Sequence, residues 1–126
     1  MNRAFPAAAL AALLACAAAR AAPLVRDTMV EPTGCSLTVR FGSYAMGIDR
    51  PAATKIAAAI GRSKGVAAVT RYRWGREGEY TLCVRTRTAR EAAALFERLR
   101  PLLPPRPLGP IAMFLADGRS ARAPKG

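Results

Sequence analysis

The residues of this chain that could carry chemistry are mainly its cysteines and arginines. Its 126 residues include no histidine. Histidine is the commonest general base and metal ligand, so serine or cysteine triads and histidine-ligated zinc sites are excluded. The three cysteines, Cys16, Cys35 and Cys83, show no C-x-x-C spacing, so no metal site is expected. We therefore predict a protein that is not an enzyme and has no cofactor.

Two local patterns have catalytic associations that their surroundings do not support. The segment 42–47 has the G-x-x-x-x-G spacing of a phosphate loop, but Ile48 and Asp49 follow it, where Lys and Ser or Thr are required. Glu77 and Glu79 lie on a glycine-rich turn, where carboxylates are normally hydrated and have no cleft around them. We interpret both segments as loops.

The N-terminal segment predicts export. Residues 1–21 combine Arg3, an alanine-rich apolar run and an A-x-A site that ends at Ala21, which is typical of a secretory signal peptide. An alternative stays open, because residues 13–16 (LLAC) resemble a bacterial lipobox, with residues 1–15 as the signal and Cys16 as the lipidated residue. Either signal places the protein in the periplasm, on the outer membrane as a lipoprotein, or outside the cell.

The two remaining cysteines, Cys35 and Cys83, are expected to form a disulfide in an oxidising compartment. Strict alternation puts their side chains on opposite faces of the predicted sheet, so the bridge requires a bulge or turn at Gly34. The alternative is a free Cys83 with a pKa lowered by Arg71 and Arg85, which would favour a thiol-redox protein.

Hydrophobic periodicity and capping residues give the order βαββαβ. Alternation marks a strand at 35–41, a helix follows the capping residue Asp49, and a capping box at 88–91 opens a second helix. This order resembles the ferredoxin-like fold, an α+β domain with a four-stranded antiparallel sheet and both helices on one face. The predicted organisation is a linker at 22–33, the domain at 34–116 and a basic disordered tail at 117–126.

The sheet face away from the helices is the candidate binding site. We expect the second and third strands to pair Tyr72 with Leu82 and Trp74 with Tyr80, because these apolar side chains then share the helix side. The opposite face would present five arginines, whose planar forks suit phosphates and carboxylates. These residues are Arg40, Arg71, Arg73, Arg85 and Arg87.

Charge and compartment suggest an anionic partner. The chain has 20 Lys+Arg and 8 Asp+Glu, and removal of residues 1–21 with two arginines leaves 18 minus 8, or +10. Candidate partners are anionic lipid, lipopolysaccharide or an acidic envelope protein, with membrane contact only through a lipid on Cys16. Nucleic acid is not expected, because RNA-binding domains of this topology use aromatic residues where this chain has Thr, Cys and Arg. The alternatives are a protein–protein interaction module and a thiol-redox protein that acts through Cys83.

Overall fold

The computed structural model describes residues 23–125, so the predicted signal peptide and Cys16 lie outside the described residues. The described part contains six strands and two helices. In chain order these are β1 Val25–Thr28, β2 Leu37–Phe41, α1 Arg50–Gly61, β3 Val66–Arg73, β4 Tyr80–Thr86, α2 Ala89–Leu99, β5 Ile111–Leu115 and β6 Ser120–Ala123. Neither helix is long and apolar enough to cross a membrane.

All six strands form one mixed sheet in the order β1-β3-β4-β2-β5-β6, in which only the β1–β3 pair is parallel. The predicted four-stranded antiparallel ferredoxin-like sheet is therefore wrong. The two additional strands lie in the segments predicted as the linker 22–33 and the tail 117–126, and each has four residues. Four residues are the shortest segment in which alternation can be recognised, so the sequence gives only a weak signal for either strand.

Both helices begin at side-chain caps that are visible in the sequence. The Asp49 carboxylate accepts a bond from the backbone N–H of Ala52 at 3.0 Å, and Pro51 occupies the first turn of α1, where no donor is needed. Thr88 caps α2 by accepting a bond from the N–H of Glu91 at 3.1 Å. These local contacts fix where each helix starts relative to the strand before it.

One hydrophobic core lies between the helices and one face of the sheet. Both helices contribute buried side chains to it, so they cover the same face. The opposite face, called the open face below, has no helix on it. Fully buried members of the core include Leu37, Val39 and Phe41 of β2, Ile56 of α1, Leu95 and Phe96 of α2, and Met113 of β5.

The predicted pairing between β3 and β4 is wrong by one residue. Tyr72 lies opposite Thr81 instead of Leu82, and Arg71 takes the place opposite Leu82. Side chains of directly paired residues lie on the same face of a sheet. Tyr72 therefore lies on the open face, and Arg71 lies on the helix side.

A β-bulge near the start of β3 causes this change of phase. Val66 pairs with Thr86 and Ala68 pairs with Arg85, so β3 has one extra residue at this point. The extra residue allows Val66 and Val69, which are three positions apart, to be buried together in the core. Under strict alternation one of them would lie on the open face.

Candidate functional site: the open sheet face

The structure does not bring the five predicted arginines onto one face. Arg71 and Arg73 lie on the helix side, because the bulge reverses the phase of β3. Arg87 follows the end of β4, where its guanidinium donates to the carbonyl of Lys64. Of the predicted set, Arg40 and Arg85 remain on the open face, as their pairing partners show.

Arg71 forms a bidentate ion pair with Asp27 of β1, with N–O distances of 2.6 and 3.1 Å. The hydrogen bond from Arg71 lowers the pKa of the Asp27 carboxyl, and the nearby charge of Arg73 acts in the same direction. On the same side of the sheet, burial raises the pKa of Tyr80. Arg71 is therefore engaged in holding the edge strand β1 against β3.

The predicted disulfide between Cys35 and Cys83 is confirmed, with a Cα–Cα distance of 5.3 Å. Cys35 precedes β2 and follows Gly34, whose positive φ of 67° turns the chain and frees Cys35 from strand alternation. The two sulfurs consequently meet on the open face. Cys83 is only 1% exposed there, because the chain around Cys35 covers it.

Residues 29–36, called the strap below, run across the open face. β1 is parallel to β3 and β3 is antiparallel to β4, which is antiparallel to β2, so β1 and β2 are parallel. The strap must therefore return along the sheet between them. It is held by the disulfide and by Arg85, whose guanidinium donates to the carbonyls of Thr33 at 2.9 Å and Gly34 at 2.8 Å. The Arg85 guanidinium is thus used to hold the strap on the sheet.

Arg40 and Trp74 form a stacked pair on the part of the open face that the strap leaves uncovered. The Arg40 guanidinium carbon lies 4.4 Å from the centre of the Trp74 ring, and the indole N–H donates to the Thr81 hydroxyl at 3.0 Å. These contacts fix both side chains in place. Sequence reasoning missed the pair because the predicted register placed Trp74 on the helix side.

A second arginine lies in the same cross-strand row. Arg40 pairs with Ala112, and Ala112 pairs with Arg122, so the two arginines flank an alanine. They are two strands apart, roughly 10 Å between Cα atoms, and both are exposed. Among residues 23–125 neither takes part in an ion pair. Arg40, Ala112 and Arg122 are called the arginine row below.

The open face has a single sign of charge along its strands. Its charged strand positions are all arginines, and no Asp or Glu occupies a strand position on this face. The four arginines at these strand positions are Arg26, Arg40, Arg85 and Arg122. The Arg40 guanidinium lies over the Trp74 ring, on the β4 side of β2, while Arg122 lies two strands away on the other side, and each guanidinium has the planar donor geometry that suits a phosphate or carboxylate.

Residues 23–125 hold no cluster of three or more His, Cys, Asp or Glu side chains that could bind a metal ion. Fold and site together define the class of the protein: a small disulfide-bridged α+β domain with one basic sheet face that no helix covers and that residues 29–36 cover in part. Comparison with known protein families and with curated proteins finds no match for the chain.

Proposed function

We propose that this chain is a small exported, non-enzymatic binding module whose arginine row binds a phosphate-bearing component of the bacterial envelope. The observation that carries the proposal is the pair of exposed arginines on either side of Ala112, on a sheet face without strand carboxylates. Anionic lipid and lipopolysaccharide both present phosphate groups to such a face. The proposed location is the periplasm or the outer membrane.

The chemistry of the row suits phosphate. A guanidinium can donate two parallel hydrogen bonds to a phosphate, and such charge-assisted bonds are about twice as strong as neutral ones. Arg40 is already ordered on the Trp74 ring, so it loses less side-chain entropy when it binds. A net charge of +10 over the chain after residue 21 attracts anionic partners over a longer range and is weakened by salt.

The disulfide supports the proposed compartment, because such bridges persist mainly in oxidising surroundings. It also bears on the thiol-redox alternative. Cys83 is bonded to Cys35 and buried, so a reactive thiolate at Cys83 would require prior reduction. One observation favours the protein–protein alternative instead: Phe114 lies on the open face with 44% of its surface exposed.

The test compares two double variants of the full chain that lose the same charge. Arg40→Gln/Arg122→Gln removes the arginine row, and Arg62→Gln/Arg90→Gln removes two exposed arginines from the ends of the helices. Binding is titrated against lipopolysaccharide, against phosphatidylglycerol-containing vesicles and against polyglutamate, each at low and high salt. We expect the first variant to lose at least tenfold in affinity for the phosphate-bearing probes and the second to keep nearly all of it.

Three outcomes contradict the proposal. Absence of wild-type binding to every probe removes it altogether. Equal losses in the two variants show that net charge acts without the arginine row. Preferential binding to polyglutamate identifies an acidic protein as the partner instead of a phosphate-bearing one.

A further inference from the structure

Most of the exposed large apolar side chains lie at one end of the sheet. Residues 23–125 expose nine such side chains, and three of them, Leu24, Val25 and Phe114, lie elsewhere. The remaining six follow or precede strands that meet at a single end. These six, called the apolar end below, are Met29, Val30, Tyr44, Met46, Trp74 and Leu108.

Topology explains this concentration. The parallel strands β1, β2 and β3 all run toward the same end, and the antiparallel strands β4 and β5 start there. The loops after β1, β2 and β3 and the loop before β5 therefore emerge together. Met46 is 91% exposed and Leu108 is 63% exposed, so these side chains project from the loops instead of packing on the core.

Hydrogen bonds hold the β2–α1 loop and the loop before β5 against each other. The N–H of Gly42 donates to the carbonyl of Pro110 at 2.8 Å, and the N–H of Leu108 donates to the buried Asp49 carboxylate at 2.9 Å. The same carboxylate caps α1 through its other oxygen. Tyr44, Met46 and Leu108 are thus carried by loops that are tied to the helix start and to the sheet.

Arginines outnumber acidic side chains at the apolar end, where Glu31 follows Val30 and Glu77 and Glu79 lie on the β3–β4 loop. Arg40 is one residue from the end of β2, and Arg122 lies in the same row of the sheet. Arg73 ends β3, Arg76 lies on the β3–β4 loop, and Arg50 starts α1 beside Arg73 and Tyr80. Apolar tips with cationic side chains behind them are the arrangement by which peripheral proteins enter the interface of an anionic bilayer.

We propose that the apolar end inserts into the surface of an anionic bilayer, with Met46 and Leu108 among the acyl chains and the arginine row at the depth of the phosphates. The inference rests on the proposed function and narrows its partner to a lipid surface. The sequence alone predicts membrane contact only through a lipid on Cys16, and the contact proposed here does not depend on that lipid. Trp74, stacked on Arg40, would then lie at the interfacial depth that tryptophan prefers.

The chain contains one tryptophan, so Trp74 reports on the position of the apolar end without labelling. The full chain is titrated with phosphatidylglycerol–phosphatidylcholine vesicles whose acyl chains carry bromine at defined depths. We expect a blue shift of Trp74 emission and strongest quenching by bromine near the headgroups. Because residues 1–22 are rich in alanine and leucine and can bind lipid on their own, the depth of Trp74 is more informative than binding alone.

A matched pair of substitutions tests the insertion directly. Leu108→Ser removes an exposed leucine from the apolar end, and Leu24→Ser removes one that is 79% exposed before β1 starts, at the opposite end. We expect Leu108→Ser to lower the vesicle partition coefficient about tenfold, as loss of a buried leucine side chain implies. Leu24→Ser should change it less than twofold.

The outcomes separate this inference from the proposed function. If the protein binds vesicles but Trp74 is not quenched, or if both leucine variants lose equally, insertion is overturned. The proposed function then stands, provided that Arg40→Gln/Arg122→Gln still weakens binding. Binding to lipopolysaccharide without binding to vesicles also overturns insertion and leaves the proposed function standing. Absence of binding to all phosphate-bearing probes overturns both.

Discussion

Opening the Cys35–Cys83 bridge should cost a large part of the stability of this domain. The bridge joins residues 48 positions apart, so it restricts a long segment of the unfolded chain. Loss of chain entropy for a closed loop of that length corresponds to about 4 kcal/mol at 25 °C. Small single domains have a free energy of unfolding of roughly 5–15 kcal/mol, so the bridge accounts for about a quarter to four fifths of the total.

The measurement is urea unfolding of the full chain, followed by the emission of Trp74, in the oxidised and the reduced state. A Cys16→Ala background prevents thiol exchange with the third cysteine. With a slope of about 1–2 kcal/mol per molar urea, a loss of 4 kcal/mol lowers the midpoint by roughly 2–4 M. The slope should also increase, because the reduced unfolded chain exposes more surface. Midpoints within about 0.5 M of each other would refute the reasoning.

Three further predictions concern contacts outside the arginine row. Asp49→Ala removes the cap of α1 and leaves the N–H of Leu108 without its partner, so thermal or urea unfolding should show a loss of about 2–4 kcal/mol; a loss below 1 kcal/mol contradicts this. Arg71 lowers the pKa of Asp27, so the stability from this pair is present above the ordinary aspartate pKa, about 3.9, and disappears as the pH falls through the lowered value. Asp27→Asn should therefore flatten the acid-unfolding curve in that range, and identical curves for the two proteins would exclude the effect. Arg85→Gln weakens the hold on the strap, so the disulfide should be reduced several-fold faster by dithiothreitol, while an unchanged rate would show that Arg85 does not protect it.

The central elements could be predicted from the sequence because their signals are local. Alternation from Leu37 to Phe41 and the caps at Asp49 and Thr88 depend only on residues close together in the chain. The edge strands β1 and β6 could not, since each has only four residues, at least half of them exposed, and each forms because a neighbouring strand is available for pairing. The error in the fold class comes from those two segments.

The error in the site has a different origin. Val66, Tyr72 and Trp74 are separated by even numbers of residues, so alternation alone places them on one face. The bulge is favoured because it buries Val69 in the core. That core is formed by residues far apart in the chain, so a short sequence window does not reveal the bulge. Alternation therefore places Arg71 and Arg73 on the wrong face and does not indicate the stacked Arg40–Trp74 pair.

The disulfide also decides how this domain would carry a mechanical load applied from its N-terminal side. Such a load acts first on β1, a four-residue edge strand that forms sheet hydrogen bonds with β3 alone. Once β1 is pulled away, the force reaches Cys35 and passes through the covalent bridge into β4, near the middle of the sheet. The 13 residues from Pro23 to Cys35 can extend to roughly 45 Å before that point. If the N-terminus is anchored, the domain can thus gain reach by releasing one edge strand while its core stays folded.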